Sequence, residues 1–465
     1  MNRSAVFRRS FRKDFPTAVR GEGVYLWDAA GQKYLDLSGS AAVNFIGHGV
    51  PEISAAMAEQ ASKLEFVHTS QFTTTVAEEY AQELLAFAGE SFRSGAVYFT
   101  SGGSESIETA LKLARQYQVE IGQSRRYQIL SRKQSYHGST LGALSVSGNK
   151  RRREIYLPMV REFPHVGMPY CYRCAFDCTD GCRNCGQEYA AELERAIDTT
   201  NGEAAAFIFE PLSGATLGAV VPPPGYLQTV VEICRRHGVL LIADEVMTGM
   251  GRTGRNFAVD HWFDKSGLGQ GGTVAPDIIV AAKGLSSGYA PLGAVIASNK
   301  VIDAIAAGSG AFLHGFTYNA HPISLAAGRA VVRHLQAKKL VEAADSSRPG
   351  TVAAGFKKAL EALRDSDPPT GVIGDVRGLG LLWAVEFVAD KKSKQPFAPE
   401  LNFAALIGAA AMKRGLVVYP MQGCVDGVSG DHLLLAPPAV ITPDEITWAT
   451  EQLRQSIDEA ASALP

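Results

Sequence analysis

Three ionisable residues stand where two apolar runs of strand length stop. The run VLLIA ends on Asp244 and Glu245, and the run PDIIVAA ends on Lys283, with Gly284 directly after it. In a parallel α/β sheet the C-terminal strand ends line the ligand crevice, so a carboxylate and an ammonium there can face one bound molecule. A solvated lysine is the commoner reading of any single lysine. Here the preceding IIVAA encloses the stem, and enclosure lowers an ammonium's pKa, giving the neutral amine that condenses with an aldehyde. The carboxylate at the other strand end could hold a proton on a ring nitrogen and make that ring an electron sink.

These groups need elements to position them. AVYFT (96–100) reads as a strand, SGGS (101–104) as a turn and ESIETALKLARQY (105–117) as a helix. Unpaired N–H groups and the helix dipole then point at the turn, where Gly102, Gly103 and the Ser104 hydroxyl could bind an anion. Taken alone, a glycine turn feeding a helix is equally a plain structural link. YQILS reads as a strand with Tyr136 and His137 at its C-terminal side, AAAFIFE as a strand ending on Glu210, and LGAVIAS as a further strand. The β-α-β order through PDIIVAAK and LGAVIAS predicts a parallel sheet with right-handed crossovers. An imine-forming lysine, a ring-nitrogen carboxylate and a phosphate cradle are the three contacts that pyridoxal 5'-phosphate requires.

Residues 22–37 alternate around the turn DAAG as a hairpin, helical spacing recurs in 51–64 and 75–88, and 315–335 reads as a loop running into a helix. The expected organisation is an N-terminal segment of a small lobe (1–62), a large cofactor-binding α/β domain (63–334) and a C-terminal α+β domain (335–465). With 45 Lys plus Arg against 47 Asp plus Glu, no global charge attracts nucleic acid or an acidic membrane. No apolar run reaches the length of a transmembrane helix. The basic N-terminus lacks the apolar centre of a secretory signal, leaving a solvated arm or a targeting peptide, with the cytoplasm as the expected location. The run KRRR (150–153) reads as a solvated face.

Five of the seven cysteines crowd into residues 171–185. Cys171 with Cys174 and Cys182 with Cys185 form two C-x-x-C pairs, the knuckle spacing of a structural zinc site, with Cys178 left over. Disulfide or redox pairing, or free thiols in an excursion loop, fit the same spacing.

The linked motifs DEVMTGMGRTG and PDIIVAAKGLSSGYAPLGAV resemble those of the class III aminotransferases, pyridoxal-phosphate enzymes of fold type I. TSGGSESIETALKLARQY, SYHGST, FEP, GFTYNAHP, VRGLGL and GDHLLLAPP support the likeness from the N-terminal hairpin to the C-terminal lobe. The resemblance implies a mostly parallel central sheet flanked by helices, with a smaller α+β lobe built from both chain ends. It implies that Lys283 is the Schiff-base lysine and general acid/base and that Asp244 pairs with the pyridinium nitrogen. Val246 and Tyr136 would cover the two ring faces. Gly102, Gly103 and Ser104 would cradle the phosphate, with His137 and Glu210 as further cofactor contacts. Thr317 is similar to a threonine that reaches the neighbouring subunit's phosphate, implying a homodimer with composite sites, or a tetramer.

The implied reaction moves an amino group from an amine or omega-amino acid donor to a keto acid acceptor such as pyruvate, in ping-pong fashion. Decarboxylation, aminomutation and racemisation use the same fold and cofactor. Arg377 in VRGLGL is similar to an arginine that binds the substrate carboxylate, unless it is a structural ion pair. In ornithine-type relatives EPxxGE supplies a glutamate that masks this arginine; EPLSGA puts Ala215 there, which disfavours an ornithine-type substrate. Phe45, Tyr25 and Phe72 are the expected pocket walls by the same comparison.

Overall fold

The computed structural model describes residues 5–176, 182, 184–263, 275–368 and 371–464. Cys178 lies outside the described residues. The chain opens with β1 (Ala18–Glu22), β2 (Tyr25–Asp28) and β3 (Lys33–Asp36), an antiparallel series. The expected hairpin is its second half. Asp28 shapes the turn, its Oδ1 accepting the N–H groups of Ala30 and Gln32 at 2.9 Å each. Helices Pro51–Lys63 and Thr75–Ala88 follow; the second begins where the Thr74 hydroxyl accepts Ala77 N–H, and it buries Tyr80, Leu84 and Phe87.

The central sheet comprises β4 (Ala96–Thr100), β5 (Gln128–Arg132), β6 (His165–Val166), β7 (Ala204–Phe209), β8 (Leu240–Asp244), β9 (Ile278–Ala281) and β10 (Gly293–Ala297). Their spatial order is β4-β10-β9-β8-β7-β5-β6. Strands β7, β8, β9 and β10 are buried along their whole length, as expected of a sheet covered on both faces. The sheet is parallel except for β10, which runs antiparallel to both β9 and β4. The expectation of a parallel β10 is corrected. The link 282–292 holds only the short turn Lys283–Leu285, too little chain for a crossover helix, so the strand returns beside the one it left. Its first residue, Gly293, pairs with Thr100, the last of β4. The C-terminal ends of β4, β9, β8, β7, β5 and β6 therefore open on one edge.

The C-terminal region forms β11 (Ile373–Leu379), β12 (Leu382–Phe387), β13 (Leu416–Val417), β14 (Tyr419–Gln422) and β15 (Asp431–Leu435), with helices Val352–Ser366, Phe403–Lys413 and Pro443–Ser462. Strand β13 leaves this region to pair with β3, which ties the two chain ends together. No helix among the described residues is long and apolar enough to cross a membrane.

A buried arginine joins these parts. Arg252, from the GRTG loop after β8, is 1% exposed. Its guanidinium donates to the carbonyls of Asn44 (2.9 Å), Ala436 (3.0 Å) and Pro437 (2.6 Å) and lies 4.7 Å from the Phe45 ring centroid. Leu381 N–H donates to the Arg252 carbonyl at 2.9 Å. Burial pushes the guanidinium pKa down to about 9, opposed by Asp36, and it stays charged at neutral pH. Arg252→Ala leaves these carbonyls without donors, and urea unfolding is expected to show a loss of about 3 kcal/mol.

Candidate active site

The strand ends surround a cavity of about 330 Å³. Its lining brings together Gly102, Gly103, Ser104, Tyr136, His137, Glu210, Asp244, Val246 and Lys283, which are nine of the ten cofactor contacts expected from the sequence. Strand register explains the convergence. Asp244 pairs with Val280, so the ends of β8 and β9 are adjacent, and Lys283 follows β9 by two residues. Glu210 follows β7, the other neighbour of β8.

Successive residues at the end of β8 point opposite ways. Asp244 faces the cavity: its Oδ2 shares a 2.7 Å hydrogen bond with His137 Nδ1, and its Oδ1 accepts Val246 N–H at 3.1 Å. Glu245 turns into the core, where its carboxylate accepts the Thr248 hydroxyl and, at 2.8 Å, Val259 N–H. Burial pushes Glu245 up to about 7. Only the first carboxylate of the pair belongs to the site.

Lys283 occupies a left-handed backbone position (φ 44°) in the turn between β9 and β10. Burial pushes its ammonium down to about 8, against the attraction of Asp244 and Glu210 and with help from Arg252 and Arg152. Glu210 is raised by the same desolvation; its carboxylate accepts Gly214 N–H at 2.9 Å, and its carbonyl accepts from Arg132. The amine is therefore under the attraction of two carboxylates yet holds its proton weakly.

The glycine turn is equally formed. The helix Gly103–Glu120 has no side-chain cap at its N-terminus, so its first N–H groups stay available to an anion. A Cβ at Gly103 would sit 3.0 Å from Val246 Cγ1, and one at Gly138 would sit 2.8 Å from Ser104 Oγ. The cradle has no room for larger residues there. Ser104 Oγ accepts Ser139 N–H at 3.0 Å, which fixes the hydroxyl beside the turn. Amine, carboxylate and uncapped helix end fit a planar, phosphate-bearing aldehyde.

A family model for class-III aminotransferases matches residues 9–457. The chain belongs to the class III aminotransferases. It is similar to an uncharacterized aminotransferase of Bacillus subtilis, YodT, with 40% identity over 97% of this chain and 96% of the relative. Among solved structures it is similar to an (S)-enantioselective omega-transaminase from Thermomicrobium roseum, with 36% identity, 97% and 93% of the two chains covered and a TM-score of 0.85. An amine transaminase from an uncultivated Pseudomonas species, solved in its PLP-bound form, superposes with a TM-score of 0.87 at 33% identity over 98% and 97% of the chains. The protein is a fold type I enzyme, and its cofactor is pyridoxal phosphate.

Other expected residues lie elsewhere. Arg377 is corrected: its Nε donates to Gly218 O at 2.7 Å and its Nη2 to Leu217 O at 2.5 Å, while Nη1 pairs with Asp375 (2.9 Å) and Glu386 (2.7 Å). With those N–H groups engaged and Tyr170 against its face, it is a structural ion pair outside the cavity lining. Phe45 is a core residue under Arg252. Tyr25 lies under the Lys33 ammonium (3.5 Å to the ring centroid) beside Glu445, and Phe72 is 63% exposed. None of the three lines this chain's cavity. Thr317 is exposed and borders a different cavity with Thr69 and Ser70.

The walls that sequence reasoning missed are Val43, Leu212, Met247, Thr248 and Pro291, which stand beside recognised motifs but carry no chemical signal. Arg152, which like Arg377 is not part of the cavity lining, was also passed over. Its guanidinium lies 4.5 Å from the Tyr136 ring centroid, and among the described residues it has no hydrogen-bonding side-chain partner.

The Lys283 value sets a pH dependence. Only the neutral amine condenses with the cofactor, so the reloading rate of cofactor-free protein, followed by borohydride trapping and mass spectrometry, should rise with pH through about 8 and then level. Asp244 holds the proton on Lys283, so Asp244→Asn should shift that midpoint to lower pH.

Proposed function

We propose that the enzyme transfers an amino group from an amine or omega-amino acid donor to a keto acid acceptor, with pyruvate as the first acceptor to test, in two ping-pong halves. The observation that carries this reading is Lys283: an amine brought down to about 8 by burial, lining one cavity with the ring-nitrogen carboxylate and the phosphate turn. When bound, the cofactor supplies an electron sink. Lys283 Nζ takes a proton from the substrate carbon and returns one, a role that needs a pKa close to the working pH. Asp244 keeps a proton at the ring nitrogen, with His137 fixing the carboxylate's orientation. Tyr136 and Val246 confine the ring, and the first N–H groups of the helix Gly103–Glu120 bind the phosphate.

With Arg377 engaged elsewhere, Arg152 becomes the proposed ligand for the substrate carboxylate. Its support is its free N–H groups, its seat against Tyr136 and the influence of its charge at Lys283. Ala215 lines the cavity where an ornithine-type relative carries a glutamate, which supports small or omega-type donors.

The proposed assembly is a homodimer with composite sites. Leu313 and Tyr318, either side of Thr317, are 83% and 61% exposed. Phe72 stands on the segment whose Thr69 donates to Asn319 at 2.9 Å. Exposed apolar residues around a polar residue displaced from its own chain's site suit a partner's phosphate turn. Light scattering is expected to give twice the chain mass, and Thr317→Ala to release cofactor faster on dialysis.

A donor and acceptor panel tests the reaction. With donor alone, an aminotransferase releases one carbonyl product per site and stops; a racemase releases none and a decarboxylase releases carbon dioxide. Lys283→Ala should lower turnover about 10²- to 10⁴-fold. Arg152→Ala should raise KM for keto acids about tenfold or more, the loss of one charge-assisted contact, and leave simple amines unchanged.

A further inference from the structure

The catalytic cavity does not involve the cysteine-rich segment, which has a geometry of its own. Cys171 opens the turn Cys171–Arg173, and Cys185 opens the helix Cys185–Thr199. The Sγ atoms of Cys171, Cys182 and Cys185 lie within 4.8 Å of one another. A tetrahedral zinc ion with Zn–S bonds of about 2.3 Å sets its sulfurs about 3.8 Å apart, so no pair of these thiols needs to close in by more than about 1 Å.

Cys182 and Cys185 are 7% and 2% exposed, so the convergence is not a surface accident. Cys182 also adopts a left-handed conformation (φ 65°), an unfavourable one for a residue with a Cβ, and this turn brings Cys185 back toward its partner. The Tyr189 hydroxyl donates to Cys174 Sγ at 3.7 Å while accepting Ala175 N–H at 2.9 Å, a fixed donor beside the remaining cysteine of the first pair.

The geometry points to a structural zinc site held by Cys171, Cys182 and Cys185, with Cys174, the other half of the first C-x-x-C knuckle, completing the thiolate set. Zinc binding releases the thiol protons to solvent and leaves the ion without an open position for substrate. Its role is to brace a neighbouring buried network. Tyr170, just before Cys171, and Arg173, inside the knuckle, both donate to Glu386, the latter at 2.7 Å. Glu386 pairs with Arg377, which holds the carbonyls of Leu217 and Gly218. Two residues before Leu217 is Ala215, in the wall of the cofactor cavity.

Elemental analysis of tag-free protein purified without chelator is expected to give one zinc per chain, and zinc release on thiol modification by a mercurial should match it. Cys182→Ser and Cys185→Ser should each lose the metal, and Cys174→Ser should lose it or bind it more weakly. Withdrawal of zinc from the native protein by a strong chelator should lower the thermal midpoint. A metal-free native protein that takes up no zinc after reduction would falsify the site. Iron with acid-labile sulfide in place of zinc, a disulfide among these cysteines on mass mapping, or zinc retained in both Cys182→Ser and Cys185→Ser would each overturn it as well. Unchanged zinc affinity in Cys174→Ser would remove that residue from the ligand set.

Discussion

The site depends on a contest between desolvation and charge at one amine. Asp244 and Glu210 favour the protonated form of Lys283, and in water they would leave it fully charged. Enclosure by strand ends outweighs both carboxylates and brings the amine down to about 8, where it can give and accept a proton. The same desolvation raises Glu210, so the two groups are coupled by their shared removal from water rather than by a simple ion pair. Opening the cavity to solvent would undo both effects together.

That enclosure is assembled from distant stretches of chain. The central sheet brings six strand ends to one edge because, among the described residues, β10 alone of its strands is reversed, and β10 is reversed because its link to β9 is short. Arg252 then fastens the Asn44 segment and the loop after β15 against the sheet through their carbonyls. A guanidinium suits this task because its planar fork serves several acceptors at once and keeps its charge when buried. The cavity wall at Val43 is the immediate neighbour of one of those acceptors.

Sequence conveyed the chemistry better than the walls. Lys283, Asp244, Glu210 and the glycine turn were legible because each follows an apolar run, and a run of buried strand length dictates where its last residue emerges. The helix Thr75–Ala88 and the strand Ala96–Thr100 were legible from periodicity and composition alone. Arg377 was misplaced because its motif position gives no sign of Glu386 and Asp375, which claim its donors only after β11 and β12 pair. Arg152 was hidden in a basic run that resembles any solvated surface; its placement against Tyr136 depends on the short helix Lys150–Arg153. Tyr25, Phe45 and Phe72 show a related limit, since aromatic residues fill cores and surfaces as readily as cavities.

The turn that carries Lys283 has a consequence for how such an enzyme can diversify. The lysine is clamped between two hydrogen-bonded strands, whereas several of the cavity walls come from segments away from that turn: Val43 near the N-terminus, Leu212 and Ala215 after β7. Reactivity and recognition are therefore encoded in separable parts of the gene. Insertions or exchanges in those wall segments can explore new donors while the Lys283 amine keeps its coordinates, so selectivity can drift under mutation without forcing the chemistry to be reinvented.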